Sequence, residues 1–153
     1  MIELIFLFAL VILPIAIISD KRAKKSCTKR KKKKHHHNDV KCYFVRNYDG
    51  DTITVNIPEW PDIVGKNISV RICGIDTPEI KGTSGETKEK ALAAKQVVFD
   101  ICSNAKKIEL RNVQKDKYFR LLADVYVDGK SIGKTLLNKG LAKPYFGKTK
   151  NLW

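Results

Sequence analysis

Arg71, Asp76, Thr77 and Glu79 stand close together in the stretch Ile68 to Glu79, which reads I-S-V-R-I-C-G-I-D-T-P-E. Their types suit chemistry at a phosphodiester: one carboxylate for a hard cation, a second to take a proton from water, and a guanidinium whose planar fork grips phosphate oxygens in pairs. Asp51 follows directly on Asp49-Gly50, at the mouth of a strand, where a rigid element can aim its carboxylate at a metal. A plainer alternative fits the central stretch equally well, a strand followed by a polar turn with one surface ion pair.

The elements that must hold these residues follow from local patterns. Ile68, Val70 and Ile72 alternate with Ser69, Arg71 and Cys73, the period of a half-buried strand, so Arg71 points away from the core. Thr77-Pro78 ends the extended run, because proline removes a ladder donor and restricts the residue before it. Upstream, Cys42 to Arg46 and Thr52 to Ile57 are predicted strands joined by a turn at Asn47-Tyr48-Asp49-Gly50. Glu59 to Lys66 is predicted as a loop. A helix is expected from about Glu86 to Ser103, where Ala91, Ala94, Val98 and Ile101 recur at three- and four-residue steps.

Strands are expected again at Lys106 to Val113 and Phe119 to Val127, the second with Phe119, Leu121, Ala123, Val125 and Val127 on one face and Arg120 on the other. Ser131 is an expected N-cap for a short helix over Ile132 to Lys139, stopped by Gly140. Five strands with two helices imply an α+β fold dominated by β-structure, a small closed sheet with helices packed on it.

The chain has 153 residues and a net charge of +14, unevenly placed. Ten of its 30 Lys and Arg lie between Lys21 and Lys34, and residues from Asn38 onward hold 20 basic and 14 acidic side chains. The folded part is thus moderately basic, compatible with a polyanionic partner. The four cysteines lack C-x-x-C spacing and a histidine partner pattern, which argues against structural zinc, and Cys73 and Cys102, in a predicted strand and a predicted helix, are expected as reduced buried thiols in preference to a disulfide.

Residues 2 to 19 form an almost wholly apolar run of bilayer-spanning length, with no basic residue before it and no A-x-A site after it. An uncleaved transmembrane anchor is expected there in preference to a cleaved secretory signal, giving a single-pass membrane protein, with a secreted or extracytoplasmic domain as the alternative. Residues 20 to 39 are expected to form a disordered basic linker, and its charge favours the cytoplasmic side for the domain over 40 to 153. That linker suits either anionic lipid or nucleic acid. His35 to His37 suit a solvated polar tract better than a metal site.

Four segments taken together, D-G-D-T at Asp49 to Thr52, V-R-I-C-G-I-D-T-P-E at Val70 to Glu79, D-K-Y-F-R at Asp116 to Arg120 and G-L-A-K at Gly140 to Lys143, resemble the staphylococcal nuclease (thermonuclease) family in the family's order. The resemblance covers about residues 42 to 146. It implies a five-stranded OB-type β-barrel with packed helices, a monomer, and calcium-dependent hydrolysis of single-stranded DNA and RNA leaving 3′-phosphate ends.

Carried over by position, it implies Asp51, Asp76 and Thr77 as Ca2+ ligands, the last through its carbonyl. It implies Glu79 as the base or water-orienting residue, Arg71 and Arg120 as the phosphate grip, and Tyr118 as a partner of the terminal phosphate. Tyr145 or Phe146 is the candidate for stacking on a base. Phe119 departs from the glycine often found there, the loop after Glu79 is shorter, and the chain stops soon after Phe146. The alternative from another class is an OB module that binds nucleic acid without cutting it.

Overall fold

The computed structural model describes residues 39–117, 119–147 and 153. The expected anchor over 2–19, nearly all of the expected linker, and Tyr118 lie outside the described residues. Among the described residues, no helix is long and apolar enough to cross a membrane.

Strand β1 (Val40–Asn47) runs antiparallel to β2 (Thr52–Asn56), which runs antiparallel to β3 (Ile68–Ile72). On its other edge β1 pairs with β5 (Ile108–Lys115), and β5 with β6 (Leu121–Val127). A parallel pairing of β3 with β6, Val70 opposite Leu121 and Ile72 opposite Ala123, closes the five strands into a barrel. Closure satisfies the edges that an open sheet would leave unpaired. This is the five-stranded barrel with helices that the sequence implied.

The alternation read from sequence fills the interior. Ile53, Val55, Val70, Ile72, Leu110, Ala123 and Val125 are buried, while the residues between them face outward. Each such Ile, Leu or Val contributes roughly 1.5–3 kcal/mol by leaving water. Helix α2 (Gly85–Ser103) lays Ala91, Ala94, Val98 and Cys102 against the barrel. In α3 (Ile132–Asn138) Ser131 is the N-cap, its Oγ accepting from the Lys134 N–H at 3.3 Å, and Gly140 follows the helix at φ +68.

Several expectations need correction. The loop over 59–66 contains one helical turn, α1 (Asp62–Gly65), started by Pro61 and stapled by a Lys66–Asp62 ion pair at 2.6 Å. The central strand pauses at Gly74 (φ +80) and resumes as β4 (Ile75–Asp76), which pairs with β8 (Lys143–Pro144). A short β7 (Lys130–Ser131) turns back and pairs antiparallel with the end of β6.

Phe119 is not an inward strand residue. It precedes β6 in a left-handed turn (φ +58) and is 96% exposed, because the 116–120 segment folds back on itself through an Asp116 N–H to Arg120 carbonyl bond of 2.9 Å. Cys42 and Cys102 are free and buried, and burial pushes both thiols up to about 12, with the neighbouring Cys102 adding to the effect on Cys42. Cys73, expected as a reduced thiol, is disulfide-bonded. It lies just beyond β3 on the outward-facing side of the alternation, half-buried and not locked in the core.

Candidate active site

Register explains how the charged residues meet. Thr52 opposes Arg71 across β2 and β3, so Asp51, one position before β2, lies beside the arginine's strand. The Ile72 N–H donates to the Asp51 carbonyl at 2.8 Å, fixing that approach. Gly50 permits it: a Cβ there would lie 2.6 Å from the Ala94 Cβ and 2.9 Å from the Thr77 Cγ2, so the β1–β2 turn docks tightly on α2 and on the Thr77-Pro78 corner. Asp76 and Thr77 are buried at this corner, and the chain emerges at Glu79, which is exposed.

Arg71 ties the two buried carboxylates together. Its Nη1 donates to Asp51 Oδ1 at 2.5 Å and its Nη2 to Asp76 Oδ1 at 2.8 Å. Asp51 also accepts from the Thr77 N–H at 3.0 Å and from Thr52 Oγ1 at 3.1 Å, while Asp49 Oδ1 accepts from the Asp51 N–H at 3.1 Å. Asp76 Oδ2 accepts from Trp153 Nε1 at 3.4 Å.

Burial, and next the charge of Asp49, raise the Asp51 pKa to about 6 against the opposing pull of Arg71 and the Thr77 N–H. Burial alone would lower the Arg71 pKa, but its pairing with Asp51 and Asp76 wins and raises it, so the guanidinium stays charged. Asp49, Asp51 and Asp76 thus set three carboxylates against one guanidinium. Carboxylate oxygens are the donors that a hard divalent cation takes, and here those of Asp51 and Asp76 are held by Arg71. Among the described residues, no cluster of three or more His, Cys, Asp or Glu side chains forms a metal site by itself.

Arg71, Glu79, Arg120 and Tyr145 line one cavity of about 550 Å³, with Tyr48 and Phe146 at its wall. Barrel closure brings the two arginines together, since Arg120 directly precedes Leu121, which pairs with Val70. Arg120 is held by Asp116, with Nη2–Oδ2 at 3.0 Å and Nε–Oδ2 at 3.2 Å. Tyr145 reaches the cavity through its N–H bond of 3.0 Å to the Gly74 carbonyl, and its ring centroid is 5.9 Å from the Arg71 guanidinium carbon.

Of the residues singled out from sequence, Asp51, Asp76 and Thr77 form the buried cluster, while Arg71 joins it to the cavity that Glu79, Arg120 and Tyr145 share. Sequence reasoning read Tyr48 and Asp49 as turn residues and gave neither Asp49 nor Asp116 a role of its own beyond opening the D-G-D-T and D-K-Y-F-R segments. The signal available was an aromatic and an acid three and two positions before Asp51, and an acid four residues before Arg120.

The family described as Staphylococcal nuclease homologue matches residues 69–152. Endonuclease YncB of Bacillus subtilis is 41% identical over 107 residues, 64% of this chain and 44% of that protein. The SPbeta prophage-derived endonuclease YokF of the same organism is also 41% identical over 107 residues, 64% of this chain and 32% of that protein. The Thermonuclease of Staphylococcus hyicus is 31% identical over 103 residues, 67% of this chain and 57% of that protein. The chain therefore spans roughly a third to just over half the length of these curated relatives.

Proposed function

Because the chain belongs to the staphylococcal nuclease homologue family, we propose that it is a calcium-dependent nuclease, acting as a monomer on single-stranded DNA and RNA and leaving 3′-phosphate ends. The observation that carries this is the cavity in which Arg71, Arg120 and Glu79 meet, beside the buried Asp51–Arg71–Asp76 cluster. Both Bacillus subtilis relatives are named as endonucleases.

Each residue has a distinct task. Arg71 and Arg120 hold the non-bridging phosphate oxygens, their planar forks matching the charge that grows there as water adds to phosphorus. Glu79, exposed at the cavity, accepts the proton of that water. The water oxygen joins phosphorus, the bond to the 5′ oxygen breaks, and that oxygen leaves and takes a proton from solvent water to become a hydroxyl. Asp51 and Asp76, with the Thr77 carbonyl, would hold calcium, which supplies a hard positive charge beside the phosphoryl oxygens when bound. Tyr118 is assigned to the terminal phosphate and Tyr145 to the nucleotide beside it.

Residues 2–19 anchor the protein in a membrane in this reading, with the domain on the cytoplasmic side and the basic linker against anionic lipid or nucleic acid. The test is digestion of denatured DNA by the full chain, with calcium and with chelator, followed by end analysis. Calcium-dependent cutting with 3′-phosphate ends is expected. Tight binding without cutting in either condition would leave an OB-type binding module instead. Retention of the chain in membranes after alkaline carbonate washing is the matching check of the anchor, and release into the wash would refute it.

A further inference from the structure

The β1–β2 turn presents an aromatic ring that the chemistry above does not use. Tyr48 is 60% exposed, so its ring adds little to the core, yet it lines the cavity that holds Arg71, Glu79 and Arg120. The turn beneath it is clamped. Buried Asn47 donates from Nδ2 to the Lys95 carbonyl of α2 at 2.8 Å and to the Asp49 carbonyl at 3.1 Å. The Tyr48 N–H donates to the Thr52 carbonyl at 3.3 Å, and Gly50 is wedged between Ala94 and Thr77. A surface aromatic held on so fixed a base loses little backbone freedom when something covers it.

The neighbours of the ring decide what covers it. Arg71, Arg120 and Lys117 line the same cavity together with Asp49, Glu79 and Asp116, so a bound phosphate would take up guanidiniums now held by carboxylates, and a flat π face in that cavity suits a planar group carried by the same chain. An unpaired nucleobase meets both demands. A base within a duplex does not, since its faces are already covered by its neighbours in the stack. We propose that Tyr48 is a stacking platform for an unpaired nucleobase beside the phosphate held by Arg71 and Arg120, and that it sets the preference for single strands. The assignment rests on the nuclease reading above and adds a specificity-determining residue to it. Stacking through a π face reads no base edge, so the preference is for strandedness and not for sequence.

The test compares the full-length wild type with Tyr48→Ala, Tyr48→Phe and Tyr48→Trp, using fluorescence anisotropy with labelled oligothymidylate and with a blunt hairpin duplex, in chelator so that neither is cut. Tyr48→Ala should weaken oligothymidylate binding by roughly 5- to 150-fold, the range of one lost base–aromatic stack. Duplex binding and the salt dependence should stay as in the wild type, because no phosphate contact is removed. Phe and Trp should retain the affinity, and an abasic strand should bind wild type and Tyr48→Ala alike. With calcium, Tyr48→Ala should raise KM for denatured DNA and leave kcat within a few-fold.

Thermal midpoints matching the wild type check the turn, and if the alanine variant fails to fold, the Phe and Trp variants with the abasic strand decide. Undiminished oligothymidylate binding by Tyr48→Ala, equal losses on strand and duplex, or equal wild-type affinity for abasic and ordinary strands would overturn the assignment. A wild type that neither binds nor cuts nucleic acid would instead remove the nuclease reading itself.

Discussion

Arg71 and Asp51 form a buried ion pair, Nη1 to Oδ1 at 2.5 Å, in which the arginine stays charged while the aspartate is hard to ionise. The difference arises because Arg71 is shared with Asp76, whereas Asp51 also faces Asp49 and is the more deeply buried partner.

A pH dependence follows, with a definite sign. The folded-state pKa of Asp51, about 6, lies above its ordinary value of 3.8, so the native state holds this proton more tightly than the unfolded chain. Its contribution is fully present below pH 3.8 and is lost as pH rises to about 6. Urea unfolding in chelator should therefore show a component that falls by roughly 3 kcal/mol across that window. Asp51→Asn should lack that component, and an identical slope in the variant would assign the titration elsewhere.

Glu79→Gln keeps the shape and hydrogen-bonding capacity of the side chain but cannot accept the proton from water. Turnover of denatured DNA should fall by roughly 10²- to 10⁴-fold, with calcium binding by calorimetry unchanged. Arg120→Lys keeps a charge and loses the fork that Asp116 now holds, so kcat should drop more than affinity does. Equal turnover in wild type and Glu79→Gln would make the residue after Pro78 structural.

Gly50→Ala should destabilise the fold by about 1–3 kcal/mol, the usual cost of forcing one methyl into packed space. The obstructing atoms are the Ala94 Cβ and the Thr77 side chain, neither able to swing away. A lowered urea midpoint at constant m-value is the expected readout. A midpoint equal to the wild type would mean that the turn lifts off α2 at no cost.

Phe119→Gly should act oppositely. A phenylalanine at φ +58 bears a left-handed strain of about 1–2 kcal/mol, only partly offset by the roughly 0.5–1 kcal/mol that glycine's freer unfolded chain costs. Because the ring is 96% exposed, little packing is lost, and the urea midpoint should rise. A fall would show that the ring stabilises the turn before Arg120.

These residues also mark what the sequence could reveal. Alternation gave β2, β3 and β6 within a residue or two, because one face of each must be buried. The helix over Gly85–Ser103 was legible from its small apolar stripe. Phe119 was misplaced because alternation counts side chains and is blind to a backbone that turns back before the strand begins. The pairing of β4 with β8 was hidden for a similar reason: two residues carry no period, and the partner comes from a segment far along the chain. Arg71, Asp51, Asp76 and Glu79 could be singled out as candidates from their types and local setting, and Arg120 as their companion only through the family resemblance. That one guanidinium would bridge Asp51 and Asp76 could not, since it depends on the register of β2 against β3.

The parallel closure of β3 on β6 joins residues about fifty positions apart, Val70 to Leu121 and Arg71 to Leu122. Such long-range pairing is slow to form, because loop-closure entropy is spent before the contact is gained. A nascent chain that has not yet released β6 from the ribosome carries Arg71 alone on an unfinished sheet, with Arg120 still missing. The proposed phosphate grip is therefore absent during synthesis and arrives with the final seam of the barrel. In a refolding time course, the onset of cutting would serve as a clock for that seam.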